Sequence, residues 1–180
     1  WKGKMFEAYE SGETKVVELL LERCDSEKLE LNTKDEIGLT ALMLTCFYGH
    51  KDVVKLLLDH SNSGIDLNAV DDIGITAFSL ACAKGHKDVV QLLLDYSERI
   101  ELNARSNSGG TAFMMACLNG HKDVVQLLLN NSDIIELNAK YIDGNTAFMF
   151  ACSEGHKDVV QFLDYSERIE LNARDNGGFT

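Results

Sequence analysis

Apolar residues along the chain fall into two alternating patterns. One is a short run of small and apolar residues, as in Ala77-Phe78-Ser79-Leu80-Ala81-Cys82-Ala83. The other sets Val89, Val90, Leu92, Leu93 and Leu94 at spacings of three and four, which places them on one helix face. Thr76 precedes the first run and reads as a helix N-cap. Gly85 closes that run as a left-handed C-cap. His86-Lys87-Asp88 restarts the chain, with Asp88 near the positive end of the second helix. Tyr96-Ser97-Glu98-Arg99 is a polar connector, and Ile100-Glu101-Leu102-Asn103-Ala104 alternates as an extended segment does. Each unit opens with a turn such as Asp71-Asp72-Ile73-Gly74, where glycine permits a positive φ.

The whole pattern recurs. Gly-His-Lys-Asp-Val-Val occurs at Gly49–Val54, Gly85–Val90, Gly120–Val125 and Gly155–Val160, in steps of 36, 35 and 35 residues. Thr40, Thr76, Thr111 and Thr146 each precede an alanine, and Asn32, Asn68, Asn103, Asn138 and Asn172 each follow a leucine. A fixed period of this size means stacked supersecondary units. Neither helix of a unit is long enough to be stable alone in water. The apolar stripe must be covered by neighbouring units, which makes a solenoid. The units fall at about residues 1–34 (partial), 35–70, 71–105, 106–140 and 141–174, with the start of a truncated unit at 175–180, all in a single domain over 1–180. Both ends cut into a repeat, as expected of part of a longer array.

The pattern Asp-x-x-Gly-x-Thr-Ala-x-x-x-Ala-Cys-x-x-Gly-His-x-x-Val-Val-x-x-Leu-Leu resembles the ankyrin repeat, over nearly the whole chain. The family's Thr-Pro-Leu-His stands here as Thr-Ala-Leu-Met at Thr40–Met43, Thr-Ala-Phe-Ser at Thr76–Ser79, and Thr-Ala-Phe-Met at Thr111–Met114 and Thr146–Met149; the chain has no proline. The unit is about two residues longer than the usual length of roughly 33. The resemblance implies an all-α solenoid of stacked helix-turn-helix units with turn or hairpin connectors.

One unit is irregular. Val159-Val160-Gln161-Phe162-Leu163-Asp164 is one residue shorter than Val89-Val90-Gln91-Leu92-Leu93-Leu94-Asp95, yet Tyr165–Arg174 repeats Tyr96–Arg105 residue for residue. A deletion inside a helix rotates every later residue by about 100°. Either this second helix is distorted or a residue is missing from the sequence; the second reading is preferred.

Composition changes the picture little. The chain has 180 residues, 45% of them hydrophobic, which suffices for a core. The net charge of −12 argues against a nucleic-acid ligand, whose phosphates need Lys and Arg. It fits either a partner with a basic surface or a chain kept soluble by its charge. No stretch reaches the roughly 18 apolar residues of a membrane span. No signal peptide is visible, though a chain opening on Trp1 gives that little weight. Five unpaired cysteines suit a reducing, cytoplasmic setting, in which the glycosylation tripeptide Asn130-Asn131-Ser132 is a chance match.

Candidate chemistry is sparse. His50, His86, His121 and His156 are equivalent, and stacked helices lie roughly 8–10 Å apart, too far for one metal ion to bridge. Each histidine is expected to bond to backbone at the turn. Cys46, Cys82, Cys117 and Cys152 form a ladder too widely spaced for disulfides and read as buried packing thiols; Cys24 stands alone. The asparagines are expected to bond to backbone in the turn; in the ankyrin family such an asparagine can be hydroxylated. Ser106-Asn107-Ser108-Gly109-Gly110-Thr111 is glycine-rich but lacks the lysine of a phosphate loop. No catalytic constellation, cofactor motif or metal motif is found, so the chain is not expected to be an enzyme.

The resemblance implies that turn tips and first helices line a concave groove whose variable positions contact a partner. These are Glu36, Ile37, Leu39, Phe47 and Tyr48, then Asp72, Ile73, Ile75, Ala83 and Lys84. The next unit supplies Asn107, Ser108, Gly110, Leu118 and Asn119, and the one after it Ile142, Asp143, Asn145, Ser153 and Glu154. Ile37, Leu39, Phe47, Tyr48, Ile73 and Ile75 are expected to form one patch, a feature of interaction sites. The expected function is a monomeric, non-catalytic module that binds a protein partner and neither nucleic acid nor membrane. The alternatives are a targeting segment of a larger enzyme or membrane protein, and a structural spacer array.

Overall fold

The computed structural model describes residues 2–27, 31–60 and 64–180, and the side chains of these except 2 and 23–27. Trp1 and the Cys24 thiol, both singled out above, lie outside it. Among the described residues there are ten helices. They are α1 (Lys2–Ser11), α2 (Thr14–Glu27), α3 (Ala41–Tyr48), α4 (Lys51–Asp59) and α5 (Ala77–Lys84). The rest are α6 (Lys87–Asp95), α7 (Ala112–Leu118), α8 (Lys122–Asn130), α9 (Ala147–Ser153) and α10 (Lys157–Asp164). The odd-numbered helices stack in one row and the even-numbered in a second, with the buried strip between and along them.

The helices begin where the side chains dictate. Thr40, Thr76, Thr111 and Thr146 sit in extended backbone, and their hydroxyls accept from the backbone N–H three residues on. At Thr40 the bond is returned, its N–H donating to the Met43 sulfur at 3.4 Å. Gly49 and Gly85 end α3 and α5 in the left-handed conformation. The helices α7 and α9 stop one residue earlier, at Asn119 and Glu154, and Gly120 and Gly155 come next with φ of 71° each.

The connectors keep the predicted alternation but not the predicted backbone. Ile100 and Leu102 are buried while Glu101 and Asn103 are exposed. The chain turns there, with Ala104 N–H donating to Glu101 C=O at 3.3 Å. Among the described residues no strand forms, only an isolated bridge between Val70 and Thr76.

Two ladders hold the units in register, and both cross from one unit to another. His50, His86, His121 and His156 reach back to the preceding unit. Their Nε2–H groups donate to the carbonyls of Glu10, Phe47, Ala83 and Leu118 at 2.6, 2.8, 2.8 and 2.9 Å. A carbonyl only accepts, so Nε2 carries the proton. The rings lie where the preceding glycines have no side chain. A Cβ on Gly49, Gly85 or Gly120 would sit 2.5 Å from the Nδ1 of His86, His121 or His156.

The asparagines reach forward. Asn103 Oδ1 accepts from Glu136 N–H at 2.7 Å and its Nδ2 donates to Ile134 C=O at 2.9 Å. Asn32, Asn68 and Asn138 make the same pair with the next connector. Histidine and asparagine thus bond to backbone as expected, and in each case the backbone belongs to a neighbouring unit.

The short unit resolves simply. In α10, Val159 and Leu163 are buried as Val89 and Leu93 are. The register holds through Leu163, and what is absent is the counterpart of Leu94 at the helix end. The helix is one residue shorter, and Val159 and Leu163 keep their core places because the loss falls after Leu163, at the position held by the buried Leu94 in the earlier unit.

The glycines allow a clean test. Gly85→Ala and Gly155→Ala both force alanine into left-handed backbone, which costs about 1–2 kcal/mol. Only at Gly85 does the methyl also displace a histidine, so that variant should lose at least about 1 kcal/mol more. Urea unfolding monitored by circular dichroism measures both, and equal losses would show that the histidine contact contributes nothing.

Candidate partner-binding face

The turn tips are rigid because their hydrogen bonds are made locally and then along the row. Asp35 Oδ1 accepts from the N–H groups of Ile37 and Leu39 at 2.9 and 2.8 Å, and Asp71 does the same for Ile73 and Ile75 at 3.0 and 2.8 Å. Ser106 Oγ accepts from Gly110 N–H at 3.0 Å. Tyr141 occupies the same place and cannot do this; Asp143 accepts from Asn145 N–H at 3.0 Å instead. Asn107 N–H donates to Ile73 C=O, and Ile142 N–H to Ser108 C=O, both at 2.9 Å, so these tips are joined to one another.

This geometry sorts the predicted contact residues. Ile37 and Ile73 project outward, 66% and 62% exposed, and Ile142 is more exposed still at 71%. Leu39 and Ile75 are only 7% and 9% exposed; they turn under the tips and anchor them to the helices. Gly110 is buried, Ser108, Ala83, Leu118 and Asn145 are half-buried, and Glu36, Asp72, Lys84, Asn107, Asn119, Asp143, Ser153 and Glu154 are exposed.

The six apolar residues expected to form one patch fall at two places. Ile37 and Ile73 stand at the tips. Phe47 and Tyr48 lie in the last turn of α3, at the far end of a helix about 12 Å long. There a second group assembles. Tyr48 meets Phe47 edge-on with ring centroids 5.1 Å apart and stacks on His50 at 6.0 Å. Lys84 sets its ammonium 4.4 Å from the Phe47 ring centroid, a cation–π contact. His50 was read above only as a backbone ligand; its proximity to Gly49 and Tyr48 in sequence was the available signal.

A further group was not singled out. Tyr141 meets Phe150 edge-on at 5.5 Å, and a Cβ on Gly110 would lie 2.7 Å from the Met115 methyl and 3.5 Å from the Tyr141 ring. Met115, Tyr141 and Phe150 are half-buried, on the odd-helix row beside the tips. Met115 and Phe150 share a repeat position with Leu80, so the sequence marked a variable site in mid-helix as well as at the helix ends.

The charges divide in the same way. Arg105 pairs with Glu136 at 2.6 Å and Arg168 with Asp133 at 2.7 Å, both along the connectors. Among the described residues Glu36 and Asp72 have no cationic partner, so the tips are net negative. Burial pushes the thiols of Cys46, Cys82 and Cys117 well above their ordinary range, and raises Cys152, which is exposed, as well. Among the described residues no group of three or more His, Cys, Asp or Glu side chains is placed to hold a metal ion. No helix there is long and apolar enough to cross a membrane.

A family model described as ankyrin repeats (3 copies) matches residues 5–106 and again residues 98–175. No curated protein matches the chain.

The buried thiols set an alkaline limit on stability. An unfolded thiol loses its proton near pH 9, while folded Cys82 keeps it. Above that pH the unfolded state binds fewer protons, so stability falls as pH rises. Each such thiol should contribute about 1.4 kcal/mol per pH unit to the slope. Cys82→Ala should flatten the alkaline slope by that amount, read from urea midpoints across the pH range; an unchanged slope would refute the assignment.

Proposed function

The chain belongs to the ankyrin repeat family, and on that basis we propose that it is a non-catalytic module that binds one protein partner along its tips and odd-numbered helices. Ankyrin repeats are in general protein–protein interaction modules. The observation that carries the specific reading is the pairing of two unlike surfaces on one row of units. Exposed Tyr48, 45% accessible, sits against Phe47, and Glu36 and Asp72 stand at the tips, where the described residues offer them no cationic partner. A partner segment with an apolar anchor near Tyr48 and Lys or Arg at the tips matches both. The contact with Phe47 and His50 holds the Tyr48 ring in place before binding, which lowers the entropy cost of using it. Charge at the tips raises the encounter rate, while the buried anchor sets dissociation.

Tyr48→Ala should weaken binding by about 2 kcal/mol or more, roughly thirtyfold, with little effect on the melting point. Glu154→Gln, at the polar end of α9 and well along the row from Tyr48, should cost less than about 0.5 kcal/mol. The measurement is a calorimetric titration of each variant against the partner recovered by affinity capture, with melting curves alongside. Equal losses for both variants, or a Tyr48→Ala protein that unfolds, would count against this face.

A further inference from the structure

Basic side chains tie the connectors together in two ways. In the first, the residue just before a turn tip reaches forward to its own counterpart in the next unit. Lys34 Nζ donates to Val70 C=O at 2.7 Å, and Lys140 Nζ to Arg174 C=O at 3.1 Å. Arg105 donates to Lys140 C=O at 3.5 Å and also pairs with Glu136 at 2.6 Å. In the second, Arg168 reaches back to Asp133 at 2.7 Å. Val70 stands at the repeat position of Arg105, and Ile134 at that of Arg168.

Both replacements fall beside the same connector, residues 96–105. Glu101 corresponds to Glu136, and Val70 offers it no charge; Glu98 corresponds to Asp133, and Ile134 offers it none. Among the described residues neither carboxylate forms an ion pair, and no side chain donates to Arg105 C=O. Arg99, next in sequence to Glu98, pairs with neither. Where the other joints carry a cation, the surface here shows apolar carbon, with Val70 41% and Ile134 44% exposed. Glu98, Glu101, Asn103 and Ile134 line an open hollow of about 580 Å³, ample for a long side chain.

The other joints show what suits these groups. Arg105 serves a carboxylate and a carbonyl together, which fits the forked donors of a guanidinium better than the point charge of an ammonium. An arginine stem is apolar and lies well along an exposed valine or isoleucine. The two places are one unit apart, about 8–10 Å by the spacing of packed helices. A polyproline-type segment sets residues i and i+3 on one side, about 9 Å apart. We propose that the connector of residues 96–105 docks a protein segment carrying arginines three residues apart. One guanidinium meets Glu98 with its stem on Ile134; the other meets Glu101 and Arg105 C=O with its stem on Val70. The net charge of −12 favours the approach of such a segment. Tyr48 and the tip residues Glu36 and Asp72 take no part in this contact.

The probe is the peptide acetyl-Arg-Pro-Pro-Arg-amide, titrated into isotope-labelled protein and followed by NMR amide shifts. Saturable shifts should gather at Glu98, Glu101, Ala104 and Ile134. A citrulline analogue, which keeps the shape without the charge, should not produce them. Glu98→Gln with Glu101→Gln should weaken binding about tenfold. Val70→Arg with Ile134→Arg supplies both cations from the chain itself, and should weaken it at least as much with no fall in melting point. Glu18→Gln with Glu22→Gln removes the same charge from α2 and should change affinity by less than about twofold. Equal weakening by the α2 pair would mean attraction to net charge alone and would overturn the proposal, as would undiminished binding by either of the first two variants. Shifts at the same amides when the protein is concentrated without peptide would assign the surface to a second copy instead.

Discussion

Each unit offers two helices of seven to fourteen residues, too short to persist alone, so everything depends on how one unit grips the next. The grip is a histidine ring seated where a glycine has no side chain, with its Nε2–H on the backbone of the preceding unit. Two requirements meet at that glycine. Its φ near +70° to +80° ends the helix, and its missing Cβ makes room for the ring. One residue thus ties local chain direction to the packing of the neighbour, which is how a periodic sequence becomes a periodic solid.

The asparagine ladder does the corresponding work on the connector side. It grips forward while histidine grips back, so an interior unit is held at two separated places by both neighbours. Two attachment points fix rotation as well as distance. With register fixed in this way, the tips and the exposed ends of the odd-numbered helices are free to vary without loss of the fold. The residues that differ most between units are found there.

That division explains why the face has two chemistries. The tips carry Ile37 and Ile73 with Glu36 and Asp72, and the helix ends carry an aromatic and cationic group around Phe47. A helix length separates them, so a partner engaging both must extend along the odd-numbered row. The irregular unit obeys the same logic. A residue is lost only after Leu163, at the position of Leu94, because an earlier loss would have turned Val159 or Leu163 out of the strip.

Features that depend on near neighbours in the chain were legible in the sequence. The period, the threonine caps, the left-handed glycines, the helix faces and the burial of Cys46, Cys82 and Cys117 each need only partners within a few residues or a repeated apolar spacing. Long-range partners became visible only in the folded chain. His86 bonds to Phe47, and Asn68 to Arg99 and Glu101, more than thirty residues away. Folding also separated Ile37 from Leu39, two positions apart, one exposed and one buried. The cause is the repeat itself. Every unit offers the same carbonyls and the same apolar faces, so a side chain's chemistry states that it will bond, while the unit it bonds to is settled by the direction of stacking.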